Sequence, residues 1–295
     1  MSGNTLSEGP LLTRLAAAAA AKWPAGDRRV RQWLAALRRR SRPQTARDHL
    51  KKLGRIRQVS RNGITYSFVC PNRLVSWRAR TFLTKEPETL EWIDTFQPGD
   101  VLFDIGANVG LYSIYAASRS VRVMAFEPES QNYALIQQNI FLNGFADRIT
   151  CLAVALSDRE GVDHIFVSRF RAGEAMHNVG AALDWQQRPF EACFQQGIVS
   201  FSLDAFLTFQ SQPFPTHIKI DVDGIEAKII RGAKRTLGDP RLKSLLIEMD
   251  GASSDDMAAM AEIEGAGFRL LHRKRSPTFN TTRFPELYNY VFVRA

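Results

Sequence analysis

The chain has 295 residues, 45% of them hydrophobic, and a formal net charge of +9. That length suffices for one large α/β domain with an appendage, and no run approaches the roughly 20 apolar residues of a membrane span. Residues 1–61 hold 15 Lys and Arg against 3 Asp and Glu, leaving the rest of the chain at −3, which argues against a broad nucleic-acid-binding face on the main body.

Cys70, Cys151 and Cys193 are odd in number and far apart, with neither disulfide nor zinc spacing, so they are expected to be free thiols in a reducing cytosol. Glu8 and the lack of an early basic cluster speak against a signal peptide, and the expected location is cytoplasmic. Residues 1–60 read as a basic arm. Within it, Val30, Trp33, Leu34 and Leu37 recur at helical spacing among arginines from Arg28 to Arg40, the pattern of a basic amphipathic helix. Such a helix can dock its apolar stripe on the domain, lie peripherally on an anionic membrane at its inner face, or meet nucleic acid.

Residues 61–100 read as an extension that packs on the core. Asn62-Gly63 is a turn signal before a strand at Ile64–Val69, and Pro87 suits the first turn of a helix that Pro98-Gly99 ends. Residues 101–295 form the main domain. Val101-Leu102-Phe103 is a short apolar run ending in Asp104. A turn of small residues follows, Gly106-Ala107-Asn108-Val109-Gly110, then a helical pattern, then a second apolar run that ends in Glu127. This is the first βαβ unit of a doubly wound, mostly parallel sheet with helices on both faces, a Rossmann-like α/β class.

The turn reads D-x-G-x-N-x-G and not the G-x-G-x-x-G of a dinucleotide site. Gly106 and Gly110 are read as letting the backbone approach a ligand. Glu127 lies 23 residues past Asp104, close to the spacing of an acid that accepts from ribose hydroxyls. A carboxylate at Asp104 would repel a pyrophosphate and suits the positively charged methionine end of S-adenosylmethionine. Asp104, Gly106, Ala107, Asn108, Gly110 and Glu127 are therefore the candidate cofactor-binding residues. Asp158, in the loop after a third strand at Ile149–Val154, is either an acceptor for the adenine amino group or a turn acid.

After Ile149–Val154 the alternation breaks. Strand-like pieces at 163–168 and 197–201 flank an irregular segment, Arg169–Gln196, in which Arg171, His177 and Asn178 are candidate substrate contacts. Ser202 is placed to cap a short helix, Leu203–Phe209. His217–Asp221 reads as a strand, with Lys219 and Asp221 on one face and a helix continuing to Leu237. A lysine inside a central strand needs a partner, and Glu248 on the next strand is the candidate. Ser253-Ser254 cap a helix to Gly265, and Phe268–His272 and Tyr288–Val293 form an antiparallel ending.

These motifs together resemble the FkbM family of S-adenosylmethionine-dependent methyltransferases. The matching pieces are Glu86–Trp92, Asp104–Gly110, Ala125–Pro128, Asn139–Asn143, Ser202–Asp204, Ile218–Glu226 and Ile247-Glu248. One departure is Asp223, where the family usually carries Glu. The basic arm lies outside the resemblance. It implies a class I methyltransferase fold and O-methylation of a hydroxyl on a small-molecule, sugar, lipid-linked glycan or polyketide acceptor. On that basis Asp221, at a strand tip, is the first candidate to take the hydroxyl proton, with Lys219 and Glu226 positioning it and Asp223 near substrate. Asp221, Asp223 and Glu226 also offer oxygen ligands to a divalent metal, although the expected site holds none. A nicotinamide-dependent oxidoreductase and a non-catalytic nucleotide-binding module share the fold and stay open as alternatives.

Overall fold

The computed structural model describes Lys52 and residues 54–209, 212–275 and 286–295. All belong to one compact unit, Leu50–Ala295. The basic amphipathic helix expected around Arg28–Ser41 lies outside the described residues.

The unit opens with a hairpin, β1 (Arg55–Arg61) and β2 (Ile64–Cys70), joined at Asn62 and Gly63, both at positive φ. A domain boundary at 60/61 would cut through this hairpin, so the extension starts earlier than the sequence suggested. Two helices follow, α1 (Arg73–Lys85) and α2 (Pro87–Asp94). The Asn72 side chain accepts from the Val75 amide and caps α1, a helix that the sequence did not announce. Next come β3 (Val101–Ile105), α3 (Leu111–Ser118), β4 (Arg122–Phe126), α4 (Ser130–Asn143) and β5 (Ile149–Leu152).

The segment after β5 is more ordered than its sequence implied. β6 (Ala155–Ser157), β7 (Gly161–Val167), β8 (Asn178–Val179) and β9 (Phe194–Ser202) pair into a separate four-stranded sheet, order β6-β9-β7-β8. Ser202 then caps α5 (Leu203–Phe206) as expected. β10 (His217–Ile220) leads to α6 (Glu226–Arg231) and α7 (Lys234–Gly238), two short helices in place of one, parted at Gly232-Ala233. Gly232 is tight: a Cβ there would collide with the Ser157 carbonyl of β6. The chain ends with β11 (Ser244–Asp250), α8 (Ser254–Gly265, capped by Ser253), β12 (Phe268–Lys274) and β13 (Leu287–Arg294).

The main sheet has seven strands in the order β12-β13-β11-β10-β3-β4-β5. β11, β10, β3, β4 and β5 run parallel, while β13 lies antiparallel between β11 and β12. Period-two alternation divides the strands between two cores. Phe103, Ile105, Phe126, Ile220 and Ile247 pack with α5, α6, α8 and the small sheet. Leu102, Val123, Ala125, Leu246 and Val291 pack with β2 and α1 to α4. Two asparagines on α4 tie the hairpin down: Asn139 Oδ1 accepts from Val69 N (2.8 Å) and Asn143 Oδ1 from Ser67 N (2.9 Å). Asn139 Nδ2 also donates to the Val109 carbonyl (2.9 Å), so the extension and the glycine turn share one anchor.

Candidate active site

The switch point of the sheet falls between β3 and β10, and the carboxyl ends of the strands face a cavity of about 440 Å³. Gly106, Asn108, Glu127 and Pro128 line it from the β3 and β4 tips, Asp221 to Glu226 from the turn after β10, and Glu248 and Asp250 from β11. Trp77, Arg78 and Lys85 reach it from α1, and Glu174 to His177 from the small sheet.

The turn at 105–110 is held by backbone. The amides of Gly106 and Ala107 both donate to the Phe126 carbonyl, at 3.0 and 3.1 Å. Gly106 (φ +80°) is required because a Cβ would collide with the Asp221 carbonyl, and Gly110 (φ +82°) because a Cβ would stand 2.5 Å from Ile136 Cγ1. Both glycines serve the close approach of protein to protein, and Gly106 also lines the cavity. Neither Ala107 nor Gly110 lines the cavity.

Glu127 is 5% exposed and sits where β4 ends. Its Oε2 accepts from Asn108 N (2.7 Å) and its Oε1 from Glu129 N (3.0 Å). Burial pushes its carboxyl up to about 8, against the pull of those two amides. One lone pair on each oxygen remains for further donors, and two vicinal ribose hydroxyls would supply them. Beside it, Phe126, Val154, Ala155, Leu156, Ile165 and Val179 make an apolar slot that suits a nucleobase.

Asp104 is placed differently from expectation. It does not line the cavity; it is buried, accepts from Ser113 Oγ (2.5 Å), and stands 3.7 Å from Lys219 Nζ. Burial holds its carboxyl above the ordinary range. Lys219, 1% exposed, donates to Asp221 Oδ2 at 2.7 Å and does not reach out to Glu248 as the sequence had suggested. Burial works against ionisation of Asp221, but the charges of Lys219 and Lys85 outweigh it and hold that carboxyl below its usual value. The buried Asp104 and Lys219 and the partly exposed Asp221 therefore form an ion cluster behind and at the β10 tip.

The remaining candidates also separate. Asp223 Oδ2 accepts from the amides of Met176 (2.5 Å) and His177 (3.1 Å), pinning the small sheet to the β10 turn. Burial and the Asp221 charge push its carboxyl up to about 6. Asn178 does not line the cavity; its side-chain amide donates to the Asp223 carbonyl (3.2 Å). His177 does line it. Nδ1 accepts from Ser168 N (3.3 Å), and Nε2, buried, has no partner among the described residues. Glu226 accepts from Val222 N (3.2 Å) and Gly224 N (3.0 Å), shaping the turn. Asp158 lies outside the cavity, 3.4 Å from Arg231. Among the described residues, no group of three or more His, Cys, Asp or Glu is placed to hold a metal ion. Trp77, Arg78, Lys85 and Trp185 went unnoticed in the sequence; apart from their size and charge, nothing in their local pattern points to a site.

A seven-stranded sheet with one antiparallel strand next to the end, a glycine turn after β3 beside the switch point, and a buried acid at the next tip define a Rossmann-like methyltransferase fold. The family model for the "Methyltransferase FkbM domain" matches residues 104–270, and the chain belongs to this family of S-adenosylmethionine-dependent methyltransferases. The Glu127 carboxylate, the apolar slot and the acid-rich β10 turn fit that cofactor.

The chain is similar to the 31-O-demethyl-FK506 methyltransferase FkbM of Streptomyces tacrolimicus, 40% identical over 68 residues that cover 22% of this chain and 25% of that protein. It is also similar to the hexuronic acid methyltransferase AglP of Haloferax volcanii, 24% identical over 165 residues, 55% of this chain and 61% of that one. The chain spans less than two thirds of the length of these curated relatives. A solved structure of Trm5b from Pyrococcus abyssi aligns with a TM-score of 0.44 and 14% identity, over 81% of this chain and 55% of that one.

Proposed function

We propose that this chain transfers a methyl group to a hydroxyl oxygen of a sugar or glycan acceptor. The observation that carries the reading is a single cavity with two differently equipped ends. Glu127 and the apolar slot lie at the β4 side, and an acid-rich wall with Asp221 and Glu248 lies at the β10 and β11 side. Bound there, S-adenosylmethionine would supply an activated methyl group on a sulfonium, so the protein's task is alignment, charge and one proton.

Glu127 would hold the ribose hydroxyls, and the Asn108 amide fixes the carboxylate that does so. The ionised Asp221, locked by Lys219, keeps negative charge where a cation sits in the ground state. Trp77 and Trp185 line the same cavity, and indole faces beside carboxylates suit the C–H face and hydroxyls of a sugar ring. The names of two similar proteins support separate parts of the reading, a hexuronic acid methyltransferase for the sugar and a 31-O-demethyl-FK506 methyltransferase for the oxygen. The test is transfer of radiolabelled methyl from S-adenosylmethionine into a panel of hexuronic-acid glycans, neutral glycans and sugar-free hydroxyl compounds. Label in glycans, released as an O-methyl sugar on hydrolysis, is expected. Label confined to sugar-free compounds would overturn the acceptor class, and no label in any acceptor would overturn the activity.

A further inference from the structure

We propose that Glu248, rather than Asp221, is the catalytic base that takes the acceptor's hydroxyl proton. The inference rests on the methyl-transfer reading above. Every other carboxylate that lines the cavity is already bound: Glu174 accepts from Arg171, Asp250 from the Ala252 amide and Asp256 from the Asp250 amide. Both oxygens of Glu127 hold backbone amides, and so do both oxygens of Glu226. Asp223 pins Met176 and His177. Asp221 is the ammonium's partner at 2.7 Å. Glu248 lines the cavity and, among the described residues, accepts no hydrogen bond and closes no ion pair.

Its place in the sheet explains why. Ile247 is in register with Ile220, so Glu248 stands on β11 one step beyond the last paired residue of β10, beside the level of Asp221. On its other side it is paired in register with Asn289 of β13, but that amide is turned to Glu88 (3.0 Å). The groups that face Glu248 are Asp221 and Asp223 after β10, Glu226 of α6, Lys85 at the end of α1 and Glu86 just after it. Burial and this surplus of acids over the single Lys85 push the Glu248 carboxyl well above the usual range. A carboxylate that holds a proton more firmly is a better acceptor for one, whereas Asp221, held low by Lys219, is a poor one.

The step balances without an oxidant or reductant. The acceptor O–H bond breaks, and its proton passes to a Glu248 oxygen and on to solvent. The oxygen's electron pair forms the new O–CH₃ bond as the carbon–sulfur pair stays with sulfur. Lys219 and Asp221 are positioning residues in this scheme, keeping fixed charge beside the reacting atoms.

The two assignments predict different pH profiles. With Glu248 as base, kcat/KM on the methylated glycan rises with pH along a limb above the ordinary glutamate range. At saturating S-adenosylmethionine, where cofactor binding has already ionised Glu127, Asp221 as base leaves no limb that Glu248→Gln removes. Glu248→Gln should lower kcat by about 100- to 10,000-fold and abolish the limb, while calorimetry shows S-adenosylhomocysteine affinity within about threefold of wild type. Glu248→Asp, which keeps the charge, should recover part of the rate. A readout apart from turnover is ¹³C-glutamate NMR of the full chain, in which one raised carboxyl titration disappears in Glu248→Gln. If wild type methylates a glycan but Glu248→Gln keeps its rate within threefold, or no raised titration belongs to Glu248, the base assignment falls alone. If wild type methylates nothing, the methyl-transfer reading falls and takes the base with it.

Discussion

Replacing Lys219 by Met tests the ion cluster at the centre of the sheet. The ammonium is 1% exposed, 2.7 Å from Asp221 and 3.7 Å from Asp104, itself 1% exposed. At an effective dielectric of about 20, a unit pair near 4 Å is worth about 4 kcal/mol, and part of that is offset by desolvating the charges. Methionine fills the volume but leaves two carboxylates without their cation. Breaking a buried pair in this way costs about 3–5 kcal/mol. For a unit of this size that is a fall in Tm of about 6–20 °C. The pH dependence has a definite sign. Without Lys219 both carboxyls have folded pKa values above their unfolded ones. Raised acids contribute stability that is fully present below the unfolded value, near 4, and is lost as pH rises through the folded one. The deficit of Lys219→Met should therefore be smaller at pH 5 than at pH 8, and adding Asp104→Asn should recover part of it. Urea denaturation across that range is the assay. A variant within about 1 kcal/mol of wild type at pH 8, or one whose deficit grows on acidification, would refute the reasoning.

Other expectations follow from single contacts. Gly106→Ala meets both a left-handed φ and the Asp221 carbonyl, and should lose more than about 2 kcal/mol in chemical denaturation. Asp223→Ala removes the acceptor of two amides, so hydrogen exchange at Met176 and His177 should quicken about tenfold or more while the α4 core stays protected. His217, stacked on Phe96 and bonded to Ser244 (2.7 Å) and Asp100 (3.0 Å), is pushed down to about 4 by burial. A depressed histidine contributes stability that is present above its unfolded value near 6.5 and lost as pH falls toward 4. Wild type should thus lose about 3 kcal/mol over that window, and His217→Gln should flatten the slope.

The parts of this architecture that the sequence disclosed are those in which local pattern and tertiary role agree. Val101–Asp104 and Val121–Glu127 are short apolar runs ending in an acid, and a strand buried on both faces has that form. Ser202 and Ser253 marked helix starts because capping is a local interaction. β1 was hidden because Arg55–Arg61 carries only Ile56 and Val59 as apolar residues, and its pairing with β2 supplies what its composition lacks. The small sheet was hidden because β6 meets β9 across more than 40 residues, with Ala155 opposite Ser200.

The site shows the same division. The spacing marks Glu127 as a candidate, and the fold places it in the cavity wall. Asp104 was legible as a strand-end acid, but that it lies behind the cavity wall, 3.7 Å from Lys219, depends on the pairing of β3 with β10. Arg78 and Lys85 come to the cavity on α1, and nothing local distinguishes them from other basic residues of that helix. Glu248 was visible as an acid on a strand. That its oxygens are uncommitted depends on where Asn289 and Lys219 turn, which only the fold decides.

The central claim is that Glu127 holds a nucleoside sulfonium in this cavity, and calorimetric titration of the full chain with S-adenosylhomocysteine tests it most directly. The account predicts one site per chain, an affinity that strengthens as pH rises from 6 through about 8, where Glu127 ionises, and about tenfold or greater weakening in Glu127→Gln. No binding heat at any pH, or equal affinity in Glu127→Gln, would contradict it.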